Sequence, residues 1–470
     1  MEKNRVKIIY NPYEKAIEYQ RWDDESEQWM GLNNKSKLIT NKEFINATIQ
    51  HNACEIIEEL SEEYNRGGIG LDILFEGTEE DYDDLKEVVE IFYSEKNIEI
   101  KWGEKYIDSA KTNMPKIKAI FSELQTFFSS KEYGAENVKE IISQFNDATA
   151  PTIPICVVGL YSSGKSAFIN ALIGEEILPS AKNPTTARLF KIIESENVGK
   201  ICFQVSGEDI SMIFEKDKYK ILGNIEENLR YKLHDSLENV EIKSLTRNMY
   251  HALKEINDYA DKCKKNDIIS QRIDVWVPFC NDTIKRKDYD FVIYNTPGAG
   301  SESHKEHFKV LEEALGERTN GLPILLSLPS AGDLEGLDNL LELLNGMDGK
   351  LDLTNTIRVI NGVENEDDES FKRLGDEVTT TLLGKKSTSK GLYFLSAILG
   401  LGSRKMVYND KNGWIDGTYW NVFRKSREDF VKIDSDSYMQ LYKHNLMAKD
   451  RKSKYLKSVS EEKDERKLLY

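Results

Sequence analysis

The feature that most restricts the fold is a glycine-rich segment between a strand pattern and a helix pattern. Residues Gly159 to Ser166 read GLYSSGKS and match GxxxxGK[ST] in full. Before them, Ile153 to Val158 form a short apolar run typical of a buried strand, and Ala167 to Leu172 continue as a helix. A strand, this loop and a helix in that order predict a P-loop. The alternative is a glycine-rich turn without a ligand.

The residue types in the loop suit a ligand with several negative charges. Glycine lets the backbone come close to phosphates, and the amide N–H groups from Ser162 to Ser166 are expected to converge on them at the positive end of a helix dipole. Lys165 is expected to reach the β and γ phosphates, and the Ser166 hydroxyl to bind Mg²⁺. The residues assigned to nucleotide binding in this loop are Gly159, Ser162, Ser163, Gly164, Lys165, Ser166 and Ala167.

After a boundary at Ala150-Pro151, strand patterns recur along the chain with helical patterns between most of them. This rhythm predicts an α/β P-loop domain with a mostly parallel, doubly wound sheet. The strand signals are Ile153–Val158, Phe203–Val205, Ile273–Val277, Phe291–Tyr294, Ile324–Leu328, Ile357–Ile360 and Leu392–Leu395.

The N-terminal 107 residues have their own pattern, which predicts a small α+β module. Two strand patterns with a turn between them come first, and helix and strand patterns then alternate. The predicted elements are strands at Val6–Tyr10 and Ala16–Tyr19, a helix at Lys42–Tyr64, a strand at Leu71–Phe75, a helix at Glu79–Lys96 and a strand at Ile98–Trp102.

Residues 108–150 turn helical and carry two apolar stripes. These stripes predict either core packing or a helical hinge or bundle against the next domain. The first stripe consists of Ile117, Ile120, Phe121, Leu124 and Phe128, and the second of Val138, Ile141, Ile142 and Phe145.

Length and composition define the class of protein. A chain of 470 residues is too long for one ordinary core, and 39% hydrophobic with 31% charged residues is typical of folded domains. The net charge of −17 argues against an extended nucleic-acid surface, so no nucleic-acid partner is expected. Five cysteines without a CxxC pair give no complete disulfide framework, and no long apolar run is present. We therefore expect a cytoplasmic protein.

The residues around the P-loop resemble the dynamin superfamily of large GTPases, and among them the bacterial dynamin-like proteins. The shared features are the paired Ser162-Ser163, the FINAL sequence Phe168–Leu172, Leu178-Pro179 and the first switch, Pro184-Thr185-Thr186. The ordered motifs extend over about residues 153–404. The resemblance implies GTP and Mg²⁺ as ligands, and a homodimer formed through the nucleotide domains.

The resemblance also implies roles for single residues. The switch threonine, Thr186 or alternatively Thr185, would close over the γ-phosphate and help to place the attacking water, so Thr186 joins Ser166 as a predicted metal ligand. Ser162 would stand beside the transferring phosphate, where a monovalent cation assists. The predicted catalytic residues are therefore Ser162, Lys165 and Thr186.

Two later motifs depart from the family pattern at positions that carry charge. The DxPG motif reads Asn295-Thr296-Pro297-Gly298, so an amide replaces a carboxylate, although Gly298 can still offer its amide to a γ-phosphate. The NKxD motif reads Asn361-Gly362-Val363-Glu364, so it keeps Asn361 but loses its lysine and has the longer Glu364 opposite guanine. Ser396-Ala397 match the last loop beside the base. Phosphate binding is thus more secure than hydrolysis or guanine preference.

The chain is predicted to consist of an α+β module (1–107), a helical connector (108–150), a dynamin-type GTPase domain (151–404) and a C-terminal tail (405–470). The tail is aromatic, with a basic stretch at Lys443–Lys457 that either faces an anionic membrane or acidic partner or is a solvated helix. No length remains for the family's helical stalk, which implies a truncated product or a stalk-supplying protein partner.

The leading functional prediction is hydrolysis of GTP to GDP and phosphate with nucleotide-dependent dimerisation, in membrane remodelling or a stress response. The protein would then be cytoplasmic or peripheral at a membrane. The alternative is a catalytically weakened nucleotide-binding sensor or interaction protein. A third hypothesis is an ATPase.

Overall fold

The computed structural model describes most of the first 129 residues and the strands and helices of the region after Pro151. The described ranges are 3–14, 16–45, 48–129, 152–160, 162–179, 188–196, 198–216, 218–240, 244–262, 272–280, 290–296, 322–329, 356–364, 368–377 and 392–407, with shorter pieces at 141–142, 145–146, 149, 269–270 and 366. The described residues fall into two compact units, divided between Ser143 and Gln144. The four predicted domain ranges remain a prediction.

The first unit is built on a five-stranded sheet with the order β3-β2-β1-β4-β5. β1 is antiparallel to β2 and parallel to β4, which is parallel to β5. Its strands are β1 (Asn4–Asn11), β2 (Ala16–Asp23), β3 (Gln28–Gly31), β4 (Leu71–Gly77) and β5 (Ile98–Tyr106). Its helices are α1 (Lys37–Thr40), α2 (Lys42–Ile45), α3 (Ile49–Tyr64), α4 (Glu79–Phe92) and α5 (Ala110–Ser129).

The core of this unit follows the alternation of its strands. Val6, Ile8 and Tyr10 of β1 are buried on one face of the sheet, in one cluster with buried residues of α3 and α4. α4 is capped by Thr78, the residue before it, whose hydroxyl accepts a hydrogen bond from the Asp81 amide. The predicted helix at 42–64 is in fact two helices, α2 and α3, and β3 was not predicted.

Helix α5 does not carry its apolar stripe into this core. The side chains of Ile117, Ile120 and Leu124 are 43%, 60% and 47% exposed. For these residues the prediction of core packing was therefore wrong. Within the described part of the chain, no helix is both long enough and apolar enough to cross a membrane.

The second unit contains a ten-stranded sheet with the order β10-β9-β8-β11-β7-β12-β6-β13-β14-β15. Its strands are β6 (Thr152–Gly159), β7 (Leu189–Glu194), β8 (Gly199–Val205), β9 (Glu208–Glu215), β10 (Lys218–Leu222), β11 (Arg272–Val277), β12 (Asp290–Asn295), β13 (Leu322–Ser327), β14 (Ile357–Asn361) and β15 (Leu392–Leu395). Its helices are α6 (Lys165–Ile173), α7 (Glu227–Glu238), α8 (Leu245–Lys262), α9 (Asp368–Glu377) and α10 (Ala397–Val407).

The half of this sheet around β6 is parallel. The neighbours β12, β6, β13, β14 and β15 all run in one direction. On the other side of β12 the pairings are antiparallel, except between β11 and β7. The predicted class, an α/β P-loop domain preceded by a small α+β module, is confirmed.

The parallel half of the sheet determines where the candidate site lies. The carboxyl ends of parallel strands meet at one edge, where ligands bind in open α/β sheets. At that edge β6 ends at Gly159, β12 at Asn295, β14 at Asn361 and β15 at Leu395. The predicted phosphate, metal and base motifs therefore begin at the same edge.

Candidate nucleotide-binding site

The glycine-rich loop joins β6 to the amino end of α6. Gly164 caps the helix with a φ of +85°, and the first helical bond runs from the Phe168 amide to the Gly164 carbonyl at 2.8 Å. The amides of Lys165, Ser166 and Ala167 precede that bond, so they remain available at the positive end of the helix dipole. The loop therefore has the backbone donors that a phosphate requires.

Both motif glycines are required by close neighbours. A Cβ on Gly159 would lie 2.3 Å from the Leu326 carbonyl oxygen of β13. A Cβ on Gly164 would lie 2.4 Å from Asn361 Nδ2, at a φ that already disfavours side chains. No larger residue fits at either position without moving the loop.

Lys165 is buried against the loop that it follows. Its Nζ donates to the carbonyl oxygens of Gly159 at 3.0 Å and Leu160 at 2.8 Å. Burial lowers the pKa of this ammonium to about 7. An ammonium has three donors, so one is left for a phosphate oxygen.

The paired serines of the loop have different environments. Ser163 is fully buried, and its hydroxyl and amide both donate to the Leu160 carbonyl, at 2.8 and 3.3 Å. Ser162 is exposed and has a φ of +59°, which is uncommon for a residue with a side chain. Ser163 therefore shapes the loop, while Ser162 is the serine placed at its open side.

Asn361 connects the phosphate loop to the predicted base loop. Its Nδ2 donates to the Ser163 carbonyl oxygen at 3.3 Å, and its Oδ1 accepts from the Ala397 amide at 2.9 Å. The side chain is 6% exposed. One amide thus holds together three segments that are far apart in the sequence.

The residues after Asn361 are held against the end of β15. Gly362 has a φ of +80°, and its amide donates to the Leu395 carbonyl at 2.9 Å. Glu364 is 7% exposed, and no hydrogen-bond partner of its Oε2 atom lies in the described structure. The Ser396 hydroxyl accepts from the Leu399 amide at 3.3 Å, so this side chain caps α10. The Oε2 atom of Glu364 can therefore accept a hydrogen bond from a ligand at this end of the site.

The donor set beside Ser166 fits Mg²⁺ poorly. Asn295 is fully buried, and its Nδ2 donates to Ser166 Oγ at 3.3 Å. Mg²⁺ prefers octahedral oxygen ligands and is usually bound through one or two carboxylates, but residue 295 is neutral. Within the described ranges, no group of three or more His, Cys, Asp and Glu side chains could hold a metal ion. Ser166 and Asn295 therefore offer Mg²⁺ no anionic ligand.

Three predicted residues lie outside the described structure. They are Thr186, its alternative Thr185, and Gly298. Gly159 and Asn361 are the last residues of β6 and β14. The rest of the predicted set, including Ser166, Ala167, Glu364 and Ser396, lies on the loop after β6, on α6 and after β14 and β15.

Sequence reasoning missed Asn170 and Arg404, which hold the carboxyl end of α6 and the residues that follow it. Asn170 is fully buried on α6 and accepts from the Ile177 and Leu178 amides at 3.1 and 2.9 Å, while donating to the Leu178 carbonyl. Arg404 of α10 donates to the carbonyls of Gly174 and Cys280. Asn170 lies inside the FINAL sequence, which was the signal for it, whereas no local pattern marks Arg404.

Comparison with known proteins identifies the same region. Residues 155–342 match the family model described as Dynamin family. A stretch of 43 residues is 51% identical to Dynamin-like protein A of Bacillus subtilis (strain 168), covering 9% of this chain and 4% of that protein.

The chain also resembles two solved structures, each described as an oligomerised bacterial dynamin pair that provides a mechanism for the long-range sensing and tethering of membranes. The identities are 12% and 14%, and the TM-scores 0.34 and 0.33. Each match covers 81% of this chain and 52% of the other, so the chain spans about half the length of those proteins. A likeness at this level carries no argument about function.

The family match contains both the P-loop and Asn295, and the sheet that bears them is the predicted α/β sheet. The motif order and the loop geometry agree with these matches: residues 155–342 are similar to the Dynamin family, and a 43-residue stretch is similar to a bacterial dynamin-like protein.

Proposed function

We propose that this chain binds GTP at Gly159–Ser166 and hydrolyses it to GDP and phosphate. The observation that carries the proposal is the contact of Asn361 with both Ser163 and Ala397, because it joins the phosphate loop to the base loop. In this proposal the amides at the start of α6 and the Lys165 ammonium bind the phosphates. Ser162 and the switch residue Thr186 act beside the transferring phosphate.

Glu364 supports a preference for guanine over adenine. A buried carboxylate oxygen without a partner is costly, and the N1 and N2 donors of guanine would satisfy it. Adenine presents an acceptor at N1, so it would leave the carboxylate unpaired. We therefore propose GTP rather than ATP as the substrate.

A calorimetric titration with GTP, GDP and ATP tests binding and preference together. We expect GTP and GDP to bind, ATP to bind more weakly, and Lys165→Ala to lose most of the affinity. Phosphate release with Mg²⁺ at protein concentrations that favour dimers then tests hydrolysis. Turnover no higher than that of Lys165→Ala would remove the enzymatic part of the proposal, and failure to bind any nucleotide would remove all of it.

A second candidate is a sensor that binds GTP and scarcely hydrolyses it. The observation that favours it is the neutral Asn295 beside Ser166. This candidate predicts clear binding with negligible turnover, and a gain in turnover for Asn295→Asp. Rapid hydrolysis by the natural chain would exclude it.

We also propose that two copies associate through their nucleotide domains when GTP is bound, and that the protein acts from the cytoplasm, at times peripheral to a membrane or with a stalk-supplying protein partner. The support is the dynamin-family match of residues 155–342. Sedimentation with and without a non-hydrolysable GTP analogue tests dimerisation, and co-sedimentation with anionic vesicles tests membrane binding. A monomer in both nucleotide states would contradict the first proposal.

A further inference from the structure

The side chain of Asn295 contacts the hydroxyl of Ser166, the P-loop residue predicted to bind Mg²⁺. Asn295, the last residue of β12, is fully buried, and Ser166 in the first turn of α6 is 7% exposed. The amide nitrogen donates to the hydroxyl oxygen at 3.3 Å, and no hydrogen-bond partner of Asn295 Oδ1 lies among the described residues. The hydroxyl oxygen is therefore already engaged by a neutral donor.

An amide and a carboxylate at position 295 use this hydroxyl in opposite ways. A carboxylate only accepts, so Ser166 would donate its proton to it and keep both oxygen lone pairs for a cation. An amide nitrogen only donates, so it takes up one of the two lone pairs. If the amide were reversed, Oδ1 would accept from Ser166, but the position would still be neutral.

The charge around Ser166 also disfavours the binding of Mg²⁺. The neighbouring Lys165 is cationic when protonated, and position 295 contributes no negative charge to offset it. A hard divalent cation gains most of its protein affinity from anionic oxygen ligands. The loop amides and Lys165 are therefore better arranged for the phosphates than Ser166 and Asn295 are for Mg²⁺.

We propose that GTP affinity in this chain is only weakly coupled to Mg²⁺, because Asn295 both removes the anionic charge and competes for the Ser166 oxygen. This inference rests on the proposed function, since it concerns GTP at the same loop. The protein would then lose less than tenfold in GTP affinity when the divalent cation is absent.

The test is calorimetric titration of the full chain with GTP, in excess Mg²⁺ and in EDTA. We expect the natural chain to lose less than tenfold in affinity on removal of Mg²⁺. Asn295→Asp restores the carboxylate, so its loss should be at least tenfold larger than that of the natural chain. Asn224→Asp adds the same charge at an exposed loop position and should behave as the natural chain.

A loss of tenfold or more in the natural chain, or equal losses in the natural chain and Asn295→Asp, would overturn the inference. The natural chain alone decides the question if Asn295→Asp does not fold. Absence of GTP binding in both conditions is a different result, because it removes the proposed function itself.

Discussion

Lys165 is a charged side chain held in a place where charge is costly. Its Nζ contacts two backbone carbonyls, and the side chain is 7% exposed. Burial lowers the pKa of the group to about 7, well below its value in an unfolded chain. The protein without nucleotide therefore holds this proton weakly, whereas bound phosphates would favour the charged form.

The stability of the nucleotide domain should rise with pH above about 7 because of Lys165. Between this pKa and the unfolded value near 10.4, the unfolded state binds more protons than the folded state, so stability increases by up to about 1.4 kcal/mol per pH unit. Below pH 7 both states are protonated, and the contribution is flat. Thermal unfolding of the natural chain and of Lys165→Met across this pH range measures the contribution of Lys165. The same pH dependence of stability in both proteins would contradict the prediction.

Gly164→Ala should destabilise the protein far more than Gly207→Ala, although the two glycines have nearly the same φ. The new Cβ would lie 2.4 Å from Asn361 Nδ2, and Asn361 is fixed by two hydrogen bonds. Gly207 has a φ of +84°, but among the described residues no atom lies within 4 Å of where its Cβ would be, so Gly207→Ala should cost only ~1 kcal/mol. We expect roughly 3 kcal/mol or more for Gly164→Ala, together with loss of GTP binding. Equal melting temperatures for the two variants would refute the contact.

The shape of the glycine-rich loop was predictable because its motif residues are close together in the sequence. Gly159, Gly164 and Lys165 lie on one strand–loop–helix connection, whose geometry the motif itself implies. The roles of Ser163 and Ser396 could not be read in the same way, since a serine in a loop can face either a ligand or the backbone. Both turned out to form hydrogen bonds within the protein.

Helices α6 and α10 are tied together at the end remote from the phosphate loop. Arg404 of α10 donates from Nε to the Gly174 carbonyl at 3.0 Å and also bonds the Cys280 carbonyl. Gly174 caps α6 with a φ of +80°, and the Cys280 amide donates to the Ile173 carbonyl at 2.9 Å. The carboxyl end of the P-loop helix is thus fixed by a different helix.

Arg404→Met should destabilise the nucleotide domain by roughly 2 kcal/mol or more, because it leaves two carbonyls without their donor. Arg272→Met is the matched control. Arg272 pairs with Asp274 on the surface and is 44% exposed, so its loss should cost less than about 1 kcal/mol. Thermal unfolding measures both, and equal shifts would show that the link between α6 and α10 contributes nothing.

At the level of elements, most of the apolar strands were predicted, but the apolar strand β7 and the more polar strands β9 and β10 were missed. β6, β11, β12, β13, β14 and β15 were all located from their own residues. In β9 the buried residues Ile210, Met212 and Phe214 alternate with less buried ones, and the strand pairs with β8. β10 has no buried residue and pairs with β9, so its own sequence carries little strand signal. The apolar stripe of α5 was misinterpreted as core because helical periodicity identifies an apolar face but does not show what packs against it.

At the scale of the molecule, each of the two units has a buried cluster among its described residues. The buried cluster of the first unit includes Val6, Phe75 and Leu85, and that of the second includes Val157, Ile192 and Ile293. Each cluster belongs to its own sheet. The α+β module therefore has the contacts that it needs to fold by itself.

Calorimetry of the full chain should accordingly resolve two unfolding transitions. We expect GTP to raise the midpoint of only one of them. A fragment of residues 1–129 should unfold cooperatively at the midpoint of the other. A fragment that does not fold, or a single transition that shifts as a whole with GTP, would show that the module depends on the nucleotide domain.

The contact between Asn361 and the P-loop also limits which substitutions the chain can tolerate at positions 164 and 361. Ser163 and Asn361 are 198 positions apart, yet the space beside them holds either the asparagine amide or a Cβ on Gly164, and not both. Asn361, which bonds the P-loop, matches the family motif. Gly362 and Glu364, for which the described structure gives no bond to that loop, differ from the motif. Mutations at positions 164 and 361 should therefore be strongly epistatic. The effect of changing one residue on stability and GTP binding should depend on which residue occupies the other position.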